Sequence, residues 1–244
     1  CVMFRAQEMS RYVEDGVVDL GLTGYDWIQE NSSDVREVCE LTYSKVTSRP
    51  ARWVLAVPNE SRVQTARDLE GGIIATELVN TTKRYFASQG VDVRVEFSWG
   101  ATEVKARLVD AIVELTETGS SLRENNLRII DEILRSTTRL IANKQAYADP
   151  WKQDKIDSLA LLLRGAIEAK AKVGLKLNVS TKNLSQVLAL IPSQLSPTIS
   201  PLANKEYCAV ETILEARTER VLVPQLQKAG ASGIIVYPLN KVIP

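Results

Sequence analysis

The chain contains no histidine. This absence excludes imidazole acid–base catalysis, His-based nucleophilic triads and His-ligated zinc. Cysteine is scarce: Cys1, Cys39 and Cys208 lie far apart, with no C-x-x-C spacing. A disulfide framework is therefore not expected, and reduced thiols in a cytoplasmic protein fit better. Net charge is missing too, since 30 Lys+Arg balance 30 Asp+Glu. No basic field is present to draw the chain to nucleic acid or an anionic membrane, and no apolar run is long enough to span one. Chemistry is left to carboxylates, hydroxyls, Lys and Arg, backbone dipoles or a borrowed metal ion.

What remains is the make-up of a globular protein: 244 residues, 45% hydrophobic and 25% charged. That is enough for two or three small domains with a sizeable core. The chain begins at Cys1 without an initiator Met, directly before the apolar Val2-Met3-Phe4. A fragment lacking its true N-terminus is expected, rather than a lipidated cysteine, which a polar tether usually follows.

Short strands and helices alternate through the first 141 residues. Apolar runs and alternations predict strands over 2–4, 17–23, 35–44, 52–57, 73–76, 93–99, 111–115, 127–134 and 139–143. Helical patterns fall over 8–15, from Gly24-Tyr25-Asp26 onward, over 66–70, 80–90 and 102–108, several of them stopped by glycine. Such alternation means an α/β fold with a mostly parallel sheet. Asp149-Pro150 opens a long helix to about Ala171. Beyond it, strand–helix–strand–strand–helix–strand over 172–244 is the split βαβ plan of a ferredoxin-like domain.

Three segments stand out. Asp110-Ala111-Ile112-Val113-Glu114-Leu115 runs as a buried strand into Thr116-Glu117-Thr118-Gly119-Ser120-Ser121-Leu122, a hydroxyl-rich turn with carboxylates alongside. Free backbone N–H groups and hydroxyls at such a junction suit an anion, although an ordinary polar βα loop has much the same composition. Asp19-Leu20-Gly21-Leu22-Thr23-Gly24-Tyr25-Asp26 ends a strand and starts a helix, and a plain capped helix start is the simpler account of it. Ser196-Pro197-Thr198-Ile199-Ser200-Pro201-Leu202 reads as a stiff turn presenting hydroxyls.

Together, and in this order, with Gly230-Ala231-Ser232 after them, these segments resemble the ATP phosphoribosyltransferase family in its long, self-regulated form. The resemblance covers the whole chain. It implies a two-lobed catalytic fold of the periplasmic-binding-protein type: residues 1–56 in one lobe, to which the chain returns at about 142–170, and 57–141 in the other. An ACT-like regulatory domain over 172–244 follows. It also implies transfer of a phosphoribosyl group from phosphoribosyl pyrophosphate (PRPP) to ATP, the first step of histidine biosynthesis. Glu114 would be the catalytic carboxylate and, with Thr118, Gly119, Ser120, Ser121 and Leu122, would hold PRPP. Arg5, Gly24 and Asp26 would lie near ATP. Mg²⁺ would ride on the pyrophosphate rather than in a protein cage. Asn178, Gln194, Ser196, Thr198 and Val236 would bind histidine as feedback inhibitor, and the assembly would be a hexamer built from dimers. Many relatives carry Asp at the position of Glu114, Thr at that of Ser121 and an acidic residue near that of Asn178.

Two other readings compete. A prephenate dehydratase also joins such a fold to an ACT domain, but its Thr-Arg-Phe motif is missing here. A solute-binding protein shares the two-lobed plan, but the appended domain argues against it.

Overall fold

The computed structural model describes residues 1–42, 50–192 and 196–243, in two compact units, Cys1–Ala160 and Leu161–Pro244. The second unit starts inside the long helix, eleven residues before the expected boundary at 172. No described helix is long and apolar enough to cross a membrane.

The first unit holds two sheets. It opens with α1 (Ala6–Glu14), β1 (Leu20–Gly24), α2 (Tyr25–Asn31) and β2 (Arg36–Leu41). The chain then enters a second sheet with β3 (Ala51–Pro58), a 3-10 turn at Ala66–Leu69, β4 (Ile73–Thr76), α3 (Val79–Gln89), β5 (Arg94–Phe97), α4 (Thr102–Lys105), β6 (Ala111–Thr116), α5 (Ser120–Glu124) and β7 (Leu127–Ser136). It returns as β8 (Thr138–Ala142), α6 (Lys144–Ala148) and α7 (Pro150–Lys170). One sheet has the antiparallel order β1–β8–β2 and the other the order β5–β4–β6–β3–β7. The chain crosses between them twice, as a two-lobed plan requires. The second crossing takes one residue, Thr137.

Several expectations are corrected. Residues 2–4 form no strand; they have no partner strand, and the Phe4 ring packs on Tyr12 instead. The mostly parallel sheet is half antiparallel. β4 runs parallel to β5 and β6, whereas β3 is antiparallel to both β6 and β7. The strand over 52–57 therefore belongs to the second lobe, so the first crossing precedes Ala51 rather than following residue 56. Trp53–Val57 is buried throughout because both faces of β3 are covered: Trp53, Leu55 and Val57 pack with Ile74, Phe86 and Val113, while Val54 and Ala56 pack with Ile112 and Leu122.

The second unit carries β9 (Lys172–Ser180), α8 (Leu184–Leu190), β10 (Thr198–Pro201), β11 (Tyr207–Glu215), α9 (Glu219–Lys228) and β12 (Ser232–Pro238). The all-antiparallel order β10–β11–β9–β12 is the ferredoxin-like arrangement expected from the element order. Within the Ser-Pro-Thr-Ile-Ser-Pro stretch, Thr198–Pro201 form an edge strand rather than a turn, with Pro201 at its end. Leu175, Leu177, Val179, Val210 and Leu214 face the helices and meet Val187, Leu222 and Leu226. Gly174 lies on the other face, where a Cβ would come within 2.3 Å of the Tyr237 ring.

Candidate active site

The carboxyl ends of the parallel strands β4, β5 and β6 lie along one edge of their sheet, the edge where open α/β sheets bind ligands. Each strand delivers a distinctive residue there. Glu77 follows β4, Trp99 follows β5, and Glu114 sits near the end of β6 before the hydroxyl loop.

The loop is internally braced. Gly119 adopts φ +73°, a conformation that glycine takes without strain, and its N–H donates to Thr116 Oγ1 at 2.7 Å. The Thr118 and Ser120 hydroxyls share a hydrogen bond of 3.0 Å, and the Arg123 guanidinium donates to the Thr118 carbonyl. No side chain caps α5. Ser121 Oγ donates to Glu103 Oε1 at 2.9 Å, which ties the loop to α4.

Glu114 stands among other acids. Burial pushes its carboxyl above the usual carboxylate range, and the charges of Glu103 and Glu77 push the same way. Hydrogen bonds from the Thr102 hydroxyl and the Leu115 N–H oppose that rise. The arrangement is a carboxylate under electrostatic pressure, which a positively charged partner would relieve.

A cleft of about 640 Å³ opens between the lobes, lined by Arg5 and Arg11 of the α1 segment, Trp27 and Glu30 of α2, and Glu77, Phe97 and Trp99 of the second lobe. Of the residues expected near ATP, Arg5 lines this cleft. Gly119 and Leu122 border a separate cavity of about 450 Å³ with Arg123 and Arg128. Glu117 has one carboxylate oxygen buried without a hydrogen-bond partner.

Gly24 and Asp26 do other work. Asp26 is 4% exposed; its Oδ2 accepts the Trp53 indole N–H at 2.7 Å and its Oδ1 the Trp27 N–H at 3.0 Å. Its own N–H donates to Ser136 Oγ. Trp53 and Ser136 belong to the second lobe, so Asp26 joins the lobes rather than reaching for ATP. Gly24 makes room for the Asp26 carboxylate, because a Cβ there would come within 2.0 Å of Oδ1, the oxygen that accepts the Trp27 N–H. Glu30, which sequence reasoning missed, is a second strut. It is 7% exposed, and its Oε1 and Oε2 accept the N–H groups of Asn80 and Thr81, in the first turn of α3, at 2.8 Å each.

In the second unit, Asn178 and Thr198 lie on the open face of the sheet, in line with Lys176 and Glu211. Val236 does not join them. The register of β12 shifts between Ser232 and Ile235, around Gly233 at φ +56°, and this extra residue turns Val236 onto the helix-packed face. Ser196 precedes β10, and Gln194 lies outside the described residues.

Similarity to known proteins runs along the whole chain. The family profile described as ATP phosphoribosyltransferase matches residues 5–175, and the one described as HisG, C-terminal domain, matches 169–241. The ATP phosphoribosyltransferase of Chlorobium luteolum is 56% identical over 243 residues, spanning 99% of this chain and 83% of that protein. The protein of the same name from Solibacter usitatus is 57% identical over 244 residues, spanning 100% and 84%. A solved chain described as ATP phosphoribosyl transferase (HisG:HisZ) complex from Thermotoga maritima superposes with a TM-score of 0.60 at 33% identity, covering 69% of this chain and 79% of that one.

Proposed function

The chain belongs to the ATP phosphoribosyltransferase family, which catalyses the first step of histidine biosynthesis, and we propose that its reaction runs at the lobe edge built by Glu114 and the hydroxyl loop. The observation that carries this reading is Glu114 itself, a carboxylate that burial, and then two neighbouring carboxylates, make costly to leave unpaired, placed at a strand end directly before a turn of small hydroxyls. The turn holds the 5-phosphate of PRPP through its hydroxyls and N–H groups. Glu114 accepts hydrogen bonds from the ribose hydroxyls.

In the transfer, an adenine ring nitrogen of ATP forms a bond to the anomeric carbon of PRPP as the bond to pyrophosphate breaks, and the electron pair leaves with pyrophosphate. Positive charge grows on the ribose ring, beside the carboxylate that gains most from meeting it. Catalysis then rests on positioning and electrostatic stabilisation, which need no histidine.

Among the described residues, no group of three or more His, Cys, Asp or Glu is arranged to hold a metal ion. A divalent ion, Mg²⁺, would be carried chiefly by the pyrophosphate oxygens of PRPP. When bound, the ion shields the charge of the leaving pyrophosphate.

The second unit is the regulatory domain of this reading. Free histidine binds at the open sheet face near Asn178, Thr198 and Ser196, in a hexamer built from dimers. Two measurements test the proposal. New product absorbance should require ATP, PRPP and Mg²⁺ together, and a protein that binds neither ATP nor PRPP would refute the site. Titration should show histidine binding and inhibition that an N178A variant weakens; a folded protein that ignores histidine loses the regulatory part alone.

A further inference from the structure

Trp99 is 76% exposed and Phe97 52%, an unusual outlay of aromatic surface at the mouth of a cleft. The two rings meet edge to face, with centroids 4.9 Å apart and planes at 89°, so Phe97 braces Trp99. The loop that carries Trp99 is built to hold it. Gly100 and Ala101 are both left-handed, at φ +41° and +47°, and the second is a strained position for a residue with a Cβ. The Gly100 N–H donates to Glu77 Oε1 at 3.0 Å, and Ser98 and Thr102 share a buried hydroxyl–hydroxyl bond of 3.1 Å beneath it.

Across the same cleft, Arg5 and Arg11 form no ion pair among the described residues. An exposed, braced indole on one wall and two unpaired guanidiniums on the other suit a ligand with a flat heteroaromatic ring and a phosphate chain. The space of about 640 Å³ accommodates a nucleotide.

We infer that Trp99, braced by Phe97, is the platform on which the purine of ATP stacks, with Arg5 and Arg11 meeting the phosphates. The inference rests on the reading that ATP occupies this cleft. Trp99 is a substrate-positioning residue: stacking holds the adenine so that its ring nitrogen faces the anomeric carbon, while the chemistry stays with Glu114.

The test compares the unmodified protein with Trp99→Ala, Trp99→Leu and Trp99→Phe by steady-state kinetics, and follows tryptophan fluorescence as ATP is added. Loss of a stacking partner should raise the ATP KM about tenfold in Trp99→Ala and Trp99→Leu. The PRPP KM should stay within about twofold, because no stacking contact to PRPP is removed. Trp99→Phe, which keeps an aromatic face, should recover most of the loss but abolish most of the ATP-induced quenching. Melting temperatures should barely move, since so exposed a ring supports no core. An unchanged ATP KM in folded Trp99→Ala overturns the platform and leaves the transferase reading standing. A rise in the PRPP KM instead also overturns it, by assigning the ring to the other substrate. An unmodified protein without ATP- and PRPP-dependent activity is a different failure, that of the underlying reading.

Discussion

Glu114→Gln is expected to lower kcat/KM by about 10²–10³-fold, the usual scale for removing one preorganised electrostatic contact to a charge that develops in the transition state. Glutamine keeps the length and shape of the side chain. It replaces an acceptor-only carboxylate with an amide that has one acceptor and one donor, and it removes the charge. If Glu114 only oriented the ribose, KM for PRPP would rise and kcat would hold. If it also stabilises the oxocarbenium-like ring, kcat falls as well. Steady-state kinetics with both substrates separates the two, and an unchanged kcat/KM would take Glu114 out of the chemistry.

The same residue sets a pH signature. Activity needs the ionised carboxylate, so kcat/KM falls as pH drops through the pKa of Glu114. Burial, then the Glu103 and Glu77 charges, hold that pKa above the ordinary value for glutamate, so the acid limb sits at higher pH than an exposed glutamate would give. Removing a neighbouring charge in Glu103→Gln should move that limb towards lower pH, and using the same substrates in both profiles cancels their own ionisations. Stability runs the other way. Because the folded state holds this proton more tightly than the unfolded one, stability falls as pH rises from the unfolded pKa through the folded one. Above that window the buried charge is a net cost, so Glu114→Gln should melt slightly higher while it loses activity.

This site was partly legible in the sequence, and the division has physical causes. The β6-to-loop junction shows because its signals are local: an apolar run, then hydroxyls around a glycine. Glu77 and Trp99 were missed because nothing local sets them apart. They become neighbours of the site only through the parallel order β5–β4–β6, which sets three strand ends side by side. β3 reads correctly as a strand, yet its assignment to the second lobe depends on pairing with β6 and β7, more than fifty residues later. Asp26 looks like a helix-start acid available to a ligand, and only its contact with Trp53, on the other lobe, reveals a strut. Val236 was misplaced by a single bulge. The resemblance implied it among the inhibitor contacts, and the face it takes depends on the register shift between Ser232 and Ile235, which the resemblance does not carry.

The struts lead to the second large effect, on stability. In Glu30→Ala the first turn of α3 loses both of its carboxylate acceptors at once. An unpaired buried donor costs roughly 1–3 kcal/mol and loss of a helix cap roughly 0.5–2 kcal/mol, so a total of about 2–4 kcal/mol is expected. For a domain of this size that lowers the melting temperature by about 5–15 °C. Glutamine is no adequate substitute, because its amide nitrogen would face one of the two N–H groups, donor against donor. Aspartate falls short by a methylene. Both should therefore lie between glutamate and alanine, whereas at an exposed site all three would be nearly equivalent.

Two readouts tie this loss to the lobe junction. Amide hydrogen exchange at Asn80 and Thr81 should accelerate strongly in Glu30→Ala, since these are the two donors released. KM for ATP should rise, because Arg5 and Trp27 on one lobe and Trp99 on the other hold a common cleft only while the lobes keep their spacing. A melting temperature within about 1 °C of the unmodified protein would mean that the other bonds between the lobes, those of Asp26 with Trp53 and Ser136 and of Arg84 with the Gln29 carbonyl, suffice without the Glu30 carboxylate. In that case Asp26→Ala should show the loss that Glu30→Ala does not.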